Sequence, residues 1–106
     1  MKIVVTLPGG ETQDVSAKPG KTVMENIRLA GLPIRAECGG AMACATCHVN
    51  VDPEWIEKVG RAGDEESDLL DDSDYKTDRS RLCCQIIAKD ELDGLHVTLQ
   101  LDAFEG

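Results

Sequence analysis

The chain has 106 residues, with 11 Lys and Arg against 20 Asp and Glu, a formal charge of −9. That length suits a single domain over residues 1–106, and with only Trp55, Tyr75 and Phe104 as aromatics its core must be aliphatic. The acidic balance excludes the basic face that nucleic-acid binding needs, and no apolar run approaches the ~20 residues of a membrane helix.

Lys2 to Leu7 is a short β-branched run that ends at the turn-forming Pro8-Gly9-Gly10, and Glu11 to Ala17 follows as a second strand, so a hairpin is expected. The period then changes. Val23, Ile27 and Ala30 fall on one helical face, Thr22 to Glu25 match a capping box, and Gly31 and Pro33 supply the stop. Residues 34–47 have no period and are rich in Gly, Ala and Cys. His48 to Val51 alternates as a strand, and Asp52-Pro53 opens a brief helix with an N-cap carboxylate and Pro at the first helical position. Trp55 is expected to pack that helix against the body. Residues 64–78 form an acidic stretch, helical around Leu69-Leu70. Further strands are expected at Cys84 to Ala88 and at Leu95 to Leu101, with Leu95, Val97, Leu99 and Leu101 inward and His96, Thr98 and Gln100 outward. His96 reads as an ordinary surface residue. The order of elements describes one α+β domain.

Residues 1–30 lack the basic start, apolar stretch and small-residue cleavage site of a secretory signal. An odd count of five cysteines without such a signal argues against a disulfide scaffold and for metal or redox chemistry. Cys38, Cys44 and Cys47 are spaced Cys-x5-Cys-x2-Cys, and Cys83-Cys84 lies far downstream. Three thiolates within ten residues surround a metal only if the loop wraps around it. Gly39 and Gly40 permit unusual dihedrals, and the alanines keep side chains small, so amide N–H groups can turn toward sulfur. An iron–sulfur cluster is the favoured reading. A structural zinc module competes, although such sites usually use two close cysteine pairs. A thioredoxin-like Cys44-x-x-Cys47 would need a strand-to-helix context that this loop does not offer.

The segments Cys38-Gly39-Gly40-Ala41-Met42-Ala43-Cys44-Ala45-Thr46-Cys47-His48 and Arg81-Leu82-Cys83-Cys84-Gln85 closely resemble the adrenodoxin/putidaredoxin family of 2Fe-2S ferredoxins. The likeness extends over nearly the whole chain, including Leu92-Asp93-Gly94-Leu95, and the Cys-x5-Cys spacing differs from the Cys-x4-Cys of plant-type ferredoxins. It implies a β-grasp fold: a mixed sheet packed on one main helix, with the cluster-binding loop at one edge. Side-chain parity leaves Cys83 and Cys84 both open as fourth ligand. The family pattern Arg-Leu-x-Cys-Gln maps the ligand onto Cys84, so the resemblance implies one 2Fe-2S cluster on Cys38, Cys44, Cys47 and Cys84. Cys83 would then be a free, partly buried thiol. The resemblance also makes His48 a hydrogen-bonding strut between the cluster loop and its surroundings, with Gly39 and Gly40 lining the loop.

Residues 64–78 hold eight carboxylates and one base, a net charge of −7 within the chain's −9. A solvated, solubilising face is the plain explanation of such a run. An electron carrier must also meet and leave partners quickly, which charge complementarity serves. In the resembling ferredoxins the positions of Asp64, Glu65, Glu66, Asp68 and Asp71 belong to a partner-recognition helix, and Glu37 occupies another partner-contacting position. Where putidaredoxin-like proteins end on an aromatic, this chain ends Phe104-Glu105-Gly106, so Phe104 is not terminal.

The resemblance thus implies a monomeric one-electron carrier, not an enzyme. It would take electrons from an FAD-containing NAD(P)H ferredoxin reductase and pass them to a cytochrome P-450 type monooxygenase. Supply of a Rieske-type ring-hydroxylating dioxygenase, or of iron–sulfur cluster assembly, is the alternative. A bacterial cytoplasmic setting is expected, or a mitochondrial matrix only if a transit peptide has been removed.

Overall fold

The computed structural model describes residues 1–35 and 46–104. β-Branched residues at the start give strand β1 (Lys2–Thr6), which turns through Gly10 in the left-handed region (φ +93°) into β2 (Thr12–Ser16). The next element is helix α1 (Val23–Leu29), followed beyond residue 45 by strand β3 (His48–Val51). Helices α2 (Pro53–Val59) and α3 (Asp64–Leu70) precede the short β4 (Ser80–Leu82), and β5 (Leu95–Leu99) closes the order. These strands form one five-stranded sheet in the order β2-β1-β5-β3-β4. β1 and β5 run parallel and every other pair antiparallel, so the sheet is mixed, as the β-grasp expectation requires.

Alternation places Ile3, Val5, Val15, Val49, Val51, Leu95, Val97 and Leu99 in the core, together with Val23, Met24 and Ile27 of α1. The capping box expected for α1 is present. Glu25 N donates to Thr22 Oγ1 (3.0 Å), and Thr22 N donates to Glu25 Oε1 (3.1 Å). Trp55 is half-buried against the core, with Lys58 Nζ 5.1 Å from its ring centre.

Three local readings differ from the sequence expectation. The expected strand at Cys84 to Ala88 is a 3-10 turn over Cys83–Gln85 followed by an isolated bridge from Ile87 to Thr22. On the side of β3 away from β5, the pairing strand is the three-residue Ser80–Leu82, which meets His48 to Asn50 before Cys83 and Cys84 enter the 3-10 turn. Leu101 is 52% exposed because β5 ends at Leu99 and a 3-10 turn over Leu101–Ala103 takes that side chain outward. Asp52 precedes Pro53 as expected but makes no side-chain cap, because its carboxylate lies 3.0 Å from His96 Nδ1. His96 is therefore no plain surface residue; its Nε2 is 2.7 Å from Thr6 Oγ1, so it joins β1, β5 and the start of α2.

Candidate metal centre

The β3–β4 register assembles the described part of the cysteine site. His48 stands opposite Leu82, so the residues on either side, Cys47 and Cys83, continue the pairing with one more bond, Cys83 N to Cys47 O at 2.9 Å. The 3-10 turn that follows carries Cys84, closed by Ile86 N donating to Cys83 O (3.3 Å). Cys47, Cys83 and Cys84 are all buried. Among the described residues no group of three or more His, Cys, Asp or Glu side chains is placed to hold a metal. The expected ligands Cys38 and Cys44, with Glu37, Gly39 and Gly40, lie outside the described residues. What the fold brings together is the segment of Cys47 and the segment of Cys84.

These residues fit a thiolate-bound iron–sulfur group. Both offer soft sulfur donors in an interior that protects the metal from water. Cys84 Sγ also accepts a hydrogen bond from the side chain of Gln85, with Nε2 at 3.5 Å, the kind of contact that stabilises anionic sulfur. Cys83, expected to be partly buried, is fully buried.

His48 is fully buried on the same side of β3 as Asn50. Its Nδ1 donates to the Asp102 carboxylate, equidistant at 3.1 Å from both oxygens, with Ser73 Oγ at 3.3 Å. Its Nε2 lies 2.6 Å from Ser80 Oγ, and that hydroxyl also donates to Asn50 Oδ1 (3.1 Å) and accepts from Thr77 N (2.8 Å). The residue directly after Cys47 thus ties β3 to β4, to the loop after α3 and to the turn after β5. This is the geometry of a strut. Its partner Asp102 lies 54 residues away, and nothing in the local sequence marked it.

Helix α3 divides its acids between two environments. Asp64, Glu65 and Asp68 are exposed, and among the described residues none forms an ion pair with them. Asp71 is also exposed but pairs with Lys76, whose Nζ further donates to Ser67 Oγ (2.9 Å) and Ser67 O (3.3 Å). Glu66 points the other way. It is 5% exposed and bidentate with Arg81, through Nε to Oε2 at 2.6 Å and Nη2 to Oε1 at 3.2 Å. Leu82 N donates to the same carboxylate at 2.9 Å, and Arg81 Nη1 donates to Gly60 O at 2.8 Å. A carboxylate with these bonds does not face a partner, so Glu66 is removed from the expected docking set. Its burial follows from helical spacing, since Leu70 lies one turn on and is also buried. The roles of Arg81 and Lys76 in fixing α3 were absent from the sequence reading, although Arg81 stood in the motif that carried the resemblance.

The family described as a 2Fe-2S iron-sulfur cluster binding domain matches residues 7–89. Rhodocoxin of Rhodococcus erythropolis is 44% identical over 94 residues, covering 87% of this chain and 88% of the relative. The crystal structure of a ferredoxin from Rhodopseudomonas palustris superposes with a TM-score of 0.91 at 38% identity, covering 97% of this chain and 99% of that one. Putidaredoxin in its covalent complex with putidaredoxin reductase superposes with a TM-score of 0.87 at 34% identity, covering 93% and 97%.

Proposed function

Because the chain belongs to the 2Fe-2S iron–sulfur cluster binding domain family, and within it to the putidaredoxin type, it is an electron carrier and not a catalyst, and we propose that it links a flavin reductase to a haem-thiolate monooxygenase. Family membership gives it a 2Fe-2S cluster and sets aside the zinc reading. The proposed ligands are Cys38, Cys44, Cys47 and Cys84, in one domain spanning the chain. When bound, the cluster accepts and returns one electron at a time. The chain's own residues hold it, shield it and present it to partners.

The observation that carries this reading is the direct bonding of α3 to the cysteine-bearing segment. Glu66 binds Arg81 and the amide of Leu82, two and one residues before Cys83, while Asp64, Glu65 and Asp68 of the same helix face solvent. A partner drawn to these acids is set down beside the buried sulfurs. A basic reductase face suits that charge, and putidaredoxin in complex with its own reductase is a relative of this fold. A cleft holds Asp72, Asp74 and Asp102 together with Arg35 and Tyr75. The carrier is proposed to act as a monomer in a bacterial cytoplasm. No helix among the described residues is long and apolar enough to cross a membrane.

Two measurements test the reading. Cys84→Ala is expected to lose the cluster, while Cys83→Ala keeps about two irons per chain; iron analysis with the opposite pattern overturns the ligand assignment. Chemically reduced protein mixed anaerobically with a carbon monoxide-saturated haem-thiolate monooxygenase should produce the ferrous–carbonyl band. If that band fails to form while a Rieske-type oxygenase is reduced, the acceptor assignment is wrong.

A further inference from the structure

The side-chain amide nitrogen of Gln85 lies 3.5 Å from Sγ of the preceding residue, Cys84. The turn that carries both residues is fixed from outside. Arg81 Nη2 reaches the Gln85 carbonyl at 3.5 Å, and Arg81 is itself held by the Glu66 carboxylate and the Gly60 carbonyl. The donor is half-exposed, whereas the acceptor sulfur is buried.

We propose that Gln85 raises the reduction potential of the bound cluster by donating its amide hydrogen to Cys84 Sγ, with Arg81 as the residue that positions the turn. The inference rests on Cys84 being a ligand. One electron arrives from the reductase and one leaves to the acceptor, with no proton transferred. The reduced form carries one more negative charge, shared with the ligand sulfurs. An N–H directed at one of them therefore stabilises the reduced form more than the oxidised form. The effect is local and electrostatic, and it needs no movement of the fold.

The test is spectroelectrochemical titration of holoprotein. Gln85→Leu removes the donor, so its reduced-to-oxidised ratio at a fixed applied potential should fall about three- to tenfold, one decade being 59 mV for a one-electron couple. Gln85→Glu keeps the shape but replaces the donor with an acceptor, and its ratio should fall further. A polarity or folding change alone would not alter the iron–sulfur stretching bands on transfer to deuterated water. In resonance Raman spectra those bands should shift in the wild type and shift less in both variants. An unchanged or higher potential in Gln85→Leu overturns the proposal, as does an unchanged deuterium response. If Gln85→Leu does not accumulate with cluster, Gln85→Glu decides by the same two readings. Failure of the ligand reading is separately visible, because Cys84→Ala would then retain its iron.

Discussion

Helices α1 and α3 are both seven residues long, and they are held in opposite ways. α1 carries its own instructions: a reciprocal Thr22–Glu25 capping box and a buried face of Val23, Met24, Asn26 and Ile27. α3 begins at Gly63 with no side-chain cap and buries only Glu66 and Leu70. Isolated helices this short are marginal in water, so each needs outside support. α1 gets it from apolar packing, whereas α3 gets it from Arg81, 15 residues downstream in the segment before the cysteines. A helix fixed by a charge on the metal-bearing segment is registered to that segment, and its other face is left free for acids.

The sharpest way to break the contrast is to remove the anchor. Glu66→Ala leaves the Arg81 guanidinium buried without its carboxylate and Leu82 N without its acceptor. Loss of one partner of a buried pair costs about 3–5 kcal/mol. Denaturant unfolding of the holoprotein should show a midpoint lowered accordingly, with the cluster released early as β4 loosens. A loss below about 1 kcal/mol would mean that α3 is held by Leu70 alone.

The outer face should respond in rate and not in stability. Asp68→Lys with Asp71→Lys changes the net charge of residues 64–78 from −7 to −3. Steering contributes at least about tenfold to association at low salt. Stopped-flow reduction by the reductase should therefore slow by about that factor, with a shallower dependence on ionic strength and an unchanged visible spectrum. Equal rates at low salt would reduce these acids to a solubilising surface.

The same contrast explains what could be read in the sequence. α1, the β1–β2 hairpin and β3 follow from signals within a few residues: a capping box, a Pro-Gly-Gly turn, strict alternation. The cysteine spacing likewise exposed the centre, because loop composition and thiol count are local properties. What was illegible depends on pairing across distance. The three-residue β4 is too short to show a period and exists because β3 lies beside it. Asp102 completes the His48 cluster from 54 residues away. Glu66 looked like its neighbours Asp64 and Glu65, and only its partner Arg81 distinguishes it.

A smaller effect should come from Lys76, which draws Asp71 and Ser67 together near the end of α3 where the helix has no base of its own. It supplies the positive charge that a helix C-terminus favours, and it neutralises one acid of the outer face. Lys76→Gln should therefore speed reduction by the reductase at low salt by about twofold, through one additional unpaired charge. Asp71→Asn should slow it less than Asp68→Asn does. If Asp71→Asn and Asp68→Asn slow the reaction equally, Lys76 does not mask Asp71.

The least effect is expected at α1, where one carboxylate adds to a helix already fixed by apolar packing. The backbone amide of Thr22, and then its hydroxyl, hold the Glu25 carboxyl below the usual 4.5. A lowered folded-state value means that the unfolded chain binds the proton more readily. The interaction therefore stabilises the fold above the ordinary Glu range and is lost as pH falls through the lowered value. Glu25→Gln keeps an oxygen that accepts from Thr22 N but has no charge to lose. Thermal unfolding of holoprotein at several pH values should place the wild type slightly above Glu25→Gln near neutrality, because the carboxylate also complements the helix N-terminus. The difference should shrink on acidification, as the wild-type carboxyl takes up its proton. A difference that stays constant from neutrality down to the acid limit of the cluster would assign the capping box to hydrogen-bond geometry alone, without a charge contribution.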